Sequence, residues 1–286
     1  MDHIRQAIDR AKKSGSAETQ PQTQFAPPFP QLQVQQNEGV NAVPLSWGRE
    51  VALNGKQLEP KRIIAHNIAD PRTKSFDMLR TQVLQAMQTN SWQIVGVTSP
   101  TAGCGKTVVA INLALSLARL QDRSVLLVDL DLQKPRIAYN LGLTCDRGMV
   151  SLLEGRTDLP SAMIQARINN QRFSLLPCEA ATPDSSEWMA SKTMSAFLQV
   201  IKQEFKGWTV IFDLPPLLIG DDVITLLPEI DCTLFVAAVG ISTMSEIKEC
   251  KKHLDATSLV RVVLNKSSEM HNAYYSRYAE VYNSKR

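Results

Sequence analysis

Short apolar runs alternate with stretches of helical periodicity along most of the chain. "WQIVGVTS", "SVLLVDLD", "RFSLLPC", "WTVIFDLPP", "CTLFVAAV" and "LVRVVLN" are apolar nearly throughout, whereas residues 105–120, 193–206 and 242–254 repeat their apolar positions at helical spacing. Strands with two apolar faces, separated by helices, predict an α/β fold with a mostly parallel sheet covered on both sides. Ligands of such sheets sit beyond the carboxyl ends of the strands. Candidate chemistry is therefore sought at strand ends.

The alternation fades at both termini. Ile4, Ile8 and Ala11, set among Arg and Lys, predict a short basic amphipathic helix over 1–14. The Gln/Pro-rich stretch 15–56 has little to bury and is expected to be a flexible linker, which leaves 57–268 as the folded domain. Residues 269–286 hold Tyr274, Tyr275, Tyr278 and Tyr282, four of the five tyrosines in the chain. Their spacing would suit one stripe of a packed terminal helix. The interleaved Asn272, Ser276, Arg277, Glu280, Asn283, Ser284, Lys285 and Arg286 provide few apolar partners for such a stripe, so the segment is expected to be an exposed tail that offers hydroxyl groups.

Composition narrows the class. A 286-residue chain with 44% hydrophobic residues can build a core without staples. Five cysteines without a CxxC pair and four dispersed histidines argue against zinc and disulfides. A formal charge of +3 with scattered basic residues leaves no nucleic-acid footprint. "VVAINLALSLA" is too short to span a bilayer and is broken by Asn112 and Ser116; with no apolar signal core at the N-terminus, a cytoplasmic protein is expected.

"PTAGCGKT", Pro100 to Thr107, follows an expected strand and opens an expected helix, the setting of a phosphate-binding loop. Thr101, Ala102, Gly103, Cys104, Gly105, Lys106, Thr107 and Val108 are the candidate nucleotide-binding residues: backbone N–H groups and a helix N-terminus face the phosphates, Lys106 neutralises them, and the Thr107 hydroxyl suits Mg2+. Pro100 stands where such loops usually have their first glycine. Asp129 and Asp131 end one strand and Asp213 ends another. Three carboxylates beside a phosphate loop point to a metal that prefers oxygen ligands, and so to phosphoryl transfer from ATP with Mg2+. Cys104, beside Lys106 at a helix start, is read first as a tolerated small side chain in the loop, with an oxidisable thiol as the alternative.

With loop, "DLD" strand, "DLPP" strand and tyrosine tail in this order, the sequence resembles the bacterial tyrosine autokinases of exopolysaccharide synthesis, the BY-kinases of CpsD/CapB type, within the MinD/ParA-like P-loop ATPases. "LRTQVLQ", "PDSSEWMAS", "DLPPLLIGDD" and "VLNK" add to the likeness. The resemblance implies a P-loop NTPase-like fold, Lys106 and Thr107 on phosphates and Mg2+, Asp131 and Asp213 on the metal, Asp129 as base, and Asn265 near the adenine. It implies further that Tyr274, Tyr275, Tyr278 and Tyr282 are phosphoacceptors, that the chain assembles with itself in a ring whose tails enter neighbouring sites, and that a separate membrane polysaccharide co-polymerase activates it at the plasma membrane.

Some positions depart from that family. Gln133 stands where it commonly has Arg, followed by Lys134 and Arg136. In "KSFDMLR", Lys74 and Asp77 reverse the signs of the family's ring-forming helix, with Arg80 retained, so the expectation is either a swapped ion pair or an altered ring. Tyr139 is expected to be structural. Two other readings stay open: a MinD/ParA-like positioning ATPase, against which Thr101 replaces that group's second lysine, and a nucleotide-gated regulator without kinase activity.

Overall fold

The computed structural model describes residues 47–255 and 260–267. The amphipathic helix expected over 1–14, most of the expected linker and the tyrosine tail lie outside these residues. An eight-stranded sheet forms the centre: β1 (Arg49–Ala52), β2 (Ile94–Thr98), β3 (Val125–Asp129), β4 (Ile164–Ile168), β5 (Gln171–Leu176), β6 (Thr209–Asp213), β7 (Cys232–Ala238) and β8 (Val260–Asn265). Their order across the sheet is β1-β4-β5-β3-β6-β2-β7-β8. All neighbouring pairs are parallel except β4 with β5.

Every residue of β2, β3, β6 and β7 is buried, as continuous apolar runs require of central strands. Four long helices cover them among the described residues: α1 (Thr73–Asn90), α2 (Lys106–Leu117), α3 (Lys192–Glu204) and α4 (Met244–Leu254). The apolar α2 is buried along almost its whole length. A polar side chain inside it therefore has to find partners. Asn112 does so: its Oδ1 accepts from the N–H groups of Ile64 (2.8 Å) and Ala65 (2.9 Å), and its Nδ2 donates to the carbonyls of Arg62 (3.0 Å) and Val108 (2.8 Å). This one amide ties the segment before α1 to the helix that follows the phosphate loop.

Two strands depart from the expected pattern. β1 lies inside the stretch expected to be linker, so ordered structure starts before residue 57. Its sequence, "REVA", gives no apolar run because it is an exposed edge strand. It is held by pairing with β4, by the Leu53 N–H donating to the Arg167 carbonyl at 2.7 Å, and by an ion pair of Glu50 with Arg167. β4 and β5 form a hairpin across Asn169 and Asn170, where Asn169 adopts a left-handed φ of 51° that asparagine tolerates well.

Candidate active site

The site grows from three adjacent strands. β6 lies between β3 and β2, and the register sets Asp213 opposite both Asp129 and Val97. The carboxyl ends of β3 and β6 thus come beside the loop that leaves β2. Fully parallel strands in this order concentrate the two Asp-bearing ends and the phosphate loop at the carboxyl end of the sheet.

Gly103 and Gly105 have φ of 84° and 94°, the left-handed conformation that turns successive N–H groups inward. Gly105 is further required by space, since a Cβ there would meet Asn265 Nδ2 at 2.3 Å. That amide donates to the Cys104 carbonyl at 2.8 Å, so the end of β8 buttresses the loop. Asn265 was expected beside adenine; its observed contact is with the loop backbone. Thr101 is half-buried and Ala102 and Gly103 are exposed at the crest, while Lys106 and Thr107 are buried at the start of α2 and Val108 is half-buried behind them.

Lys106 Nζ lies 2.6 Å from Asp131 Oδ2 and 3.6 Å from Asp213 Oδ1. Burial lowers its proton affinity, but Asp213 and Asp131 more than offset this and hold the ammonium above its ordinary value. It is charged. Asp131 also accepts from the Lys134 N–H at 3.0 Å. Asp213 is fully buried, with Lys106 and the Thr107 side chain beside it as its neutralising neighbours; burial pushes its carboxyl up to about 6 against their pull.

Asp129 is also fully buried. Its Oδ2 accepts from the N–H groups of Arg136 (3.1 Å) and Ile137 (3.0 Å), capping the short helix Ile137–Leu141. Burial and the neighbouring Asp213 raise its carboxyl well above the usual range. Asp129 therefore belongs to the same cluster, but its oxygens already serve the backbone.

A metal fits this arrangement in a limited way. Among the described residues no three His, Cys, Asp or Glu side chains are grouped closely enough to hold one alone. Mg2+ does not require that, because it takes one or two carboxylates and completes its shell with phosphate and water. The buried carboxylates of Asp213 and Asp131, with the Thr107 hydroxyl, match that demand.

Of the two readings of Cys104, its surroundings favour the packed side chain over the oxidisable thiol. It is 1% exposed, with its Sγ 3.4 Å from Ser242 Oγ, and serves as packing rather than as an accessible thiol. Gln133 also finds a defined place: its Nε2 donates to Ser185 Oγ (3.0 Å) and Asp222 Oδ2 (3.2 Å), and Ser186 Oγ bonds the other oxygen of Asp222. Ser185, Ser186 and Asp222 were absent from the candidate residues, although the stretches "PDSSEWMAS" and "DLPPLLIGDD" that contain them had stood out. Tyr139 is 63% exposed, with Lys61 and Arg136 stacked on its ring.

Residues 95–285 match the CobQ/CobB/MinD/ParA nucleotide binding domain. EpsB of Ralstonia solanacearum is 29% identical over 74% of this chain and 28% of EpsB. The tyrosine-protein kinase CpsD of Streptococcus pneumoniae serotype 4 is 28% identical over 64% of this chain and 79% of CpsD. Among solved structures, the kinase domain of VpsO is 26% identical, with a TM-score of 0.60 over 69% of this chain and 96% of that domain. The chain spans only 24% to 28% of the length of the first curated relatives it matches.

Proposed function

The chain belongs to the CobQ/CobB/MinD/ParA nucleotide binding domain family, and from that premise we propose that it is an ATP-dependent protein-tyrosine autokinase that regulates exopolysaccharide polymerisation or export. The observation that carries the reading is the buried ion cluster beneath the phosphate loop: one lysine with two carboxylates, Asp131 and Asp213, within 4 Å of it. Relatives named as tyrosine-protein kinases give this cluster its direction.

In this reading the loop N–H groups and Lys106 would hold the β and γ phosphates, and Thr107, Asp131 and Asp213 would hold Mg2+, which when bound would offset charge on the transferring phosphoryl group. The acceptor is a tyrosine hydroxyl. Its oxygen forms the new bond to the γ phosphorus as the bond to the ADP oxygen breaks, and its proton passes to a carboxylate, for which Asp129 is the candidate. Tyr274, Tyr275, Tyr278 and Tyr282 are the proposed acceptors, delivered from one subunit to another.

A separate membrane co-polymerase as activator, recruitment to the inner face of the plasma membrane and a ring assembly complete the proposal. Among the described residues no helix is long and apolar enough to cross a membrane. Intact-mass and peptide mass spectrometry of the wild type and Lys106→Met, with and without Mg·ATP and phosphatase, tests the reading. Phosphate on the tyrosine cluster in the wild type alone is the expected result. An unmodified cluster in the presence of the membrane activator, with ATP still bound, would instead favour a positioning ATPase or a regulator without transfer.

A further inference from the structure

The two carboxylates closest to Lys106 stand on different strands. Asp131 belongs to the loop after β3, residues 130–136, and Asp213 ends β6. Asp131 Oδ2 meets Lys106, and its Oδ1 accepts from the Lys134 N–H at 3.0 Å, so the direction of this carboxylate follows the backbone at Lys134. The side chain that fastens that backbone is the preceding one, Gln133.

The Gln133 amide nitrogen has two N–H donors and finds two acceptors, Ser185 Oγ at 3.0 Å and Asp222 Oδ2 at 3.2 Å. Ser185 and Asp222 are each 1% exposed. Ser186 Oγ donates to the other oxygen of Asp222, so both donors to this carboxylate among the described residues are neutral. A carboxylate buried this deeply is costly to hold by neutral donors alone, which calls for a role other than stability. Its position supplies one. Asp222 closes the loop after β6, and that loop is laced to the phosphate loop: Thr98 Oγ1 donates to the Pro215 carbonyl at 2.7 Å, and the N–H groups of Leu217 and Leu218 donate to the carbonyls of Ser99 (2.8 Å) and Pro100 (3.1 Å). Besides the Leu130 N–H on the Asp213 carbonyl at 2.9 Å, the Gln133 amide is thus what bonds the loop of Asp131 to the loop that is tied to the phosphates' seat.

We propose that Gln133 and Asp222 are positioning residues, which hold Asp131 in register with the phosphate loop so that its carboxylate is placed for Mg2+. Neither touches the nucleotide or the metal in this role. They act through the backbone at Lys134, as outer partners of a metal ligand do. The inference rests on the Mg2+–nucleotide part of the proposed function and is independent of which group accepts the phosphoryl.

Titration of the full chain with the fluorescent nucleotide mant-ATP, in EDTA and over a series of Mg2+ concentrations, tests it. Gln133→Ala is expected to raise the Mg2+ concentration at which affinity reaches its midpoint by about tenfold or more, with affinity in EDTA unchanged. Gln133→Arg, which still reaches Asp222 with N–H donors, should keep the wild-type midpoint. In an Asp131→Asn background, Gln133→Ala should add no further shift, because the residue it acts through is already gone. Gln133 is half-buried, so its variants are expected to fold; Gln133→Glu, which keeps the shape and removes the donors, should behave as Gln133→Ala does. An unchanged midpoint in both Gln133→Ala and Gln133→Glu, equal weakening with and without Mg2+, or a full additive shift in the Asp131→Asn background would overturn the proposal while leaving the nucleotide site standing. Wild-type binding that does not respond to Mg2+ would overturn the reading of the site, and this inference with it.

Discussion

At the scale of single residues, the phosphate loop is set by a contact that no local motif contains. Gly105 needs its left-handed φ, but the Asn265 amide arriving from β8 makes the position doubly restrictive. Gly105→Ala should therefore abolish nucleotide binding in a protein that remains folded, measured by fluorescent-nucleotide titration beside a thermal melt. Asn265→Ala, which removes only the buttress, should weaken binding by about 1 kcal/mol, the net value of one hydrogen bond. Equal effects of the two variants would show that the buttress, not the backbone conformation, is what matters. His66 gives a second prediction at this scale. Burial lowers its proton affinity, and Glu59 and Asp70 only partly restore it, so the folded chain resists a proton that the unfolded chain accepts. The unfolded state then binds more protons below the ordinary histidine value of about 6.5, and stability should fall as pH falls through that value. His66→Gln should flatten that part of a urea-denaturation pH series; an unchanged slope would remove His66 as its origin.

At the scale of elements, Asp77 shows how a reversed sign was absorbed. The sequence left open a swapped ion pair between subunits. Within the chain, Asp77 accepts from Arg119 and from Ser116 Oγ, both at 2.7 Å, with Arg80 at 3.3 Å, so the carboxylate fastens α1 to the end of α2. Asp77→Arg should thus destabilise the monomer by about 2 kcal/mol in urea denaturation, since it removes the shared acceptor and sets a third cation beside two. Adding Lys74→Glu should not restore stability. If the double variant recovers both stability and assembly by light scattering, the carboxylate works between subunits after all. The same scale explains what the sequence concealed. β2, β3, β6 and β7 were legible because burial on both faces leaves an unbroken apolar run. β1 was not, because an exposed edge strand is specified by its partner and not by its own four residues. Lys106, Thr107, Asp131 and Asp213 were legible from a compact loop and from strand ends. The joining of Gln133 to Ser185 and Asp222 was not, because it depends on a loop and the starts of two short helices whose approach only the sheet order determines.

At the scale of the whole molecule, the two charged halves of the site should bear on stability with opposite sign. Lys106 is the only cation within 4 Å of Asp131 and Asp213 among the described residues. Its removal in Lys106→Met leaves buried carboxylates facing one another, and breaking a buried pair from one side costs about 3–5 kcal/mol. For a domain of this size that corresponds to a melting temperature lower by roughly 10 °C. Asp213 presents the reverse case. Its burial outweighs the attraction of Lys106, as its upward shift records, so its charge is held in the folded state against a net penalty. Asp213→Asn removes that penalty and leaves Lys106 paired with Asp131; it should melt no lower than the wild type, and by about 1 kcal/mol higher if the new amide finds partners. Both variants should lose phosphoryl transfer. Scanning calorimetry without nucleotide separates them: a parallel fall in both would mean that the cluster is a structural ion network, whereas opposite shifts with a shared loss of activity would identify Asp213 as a charge kept for chemistry at the expense of the fold.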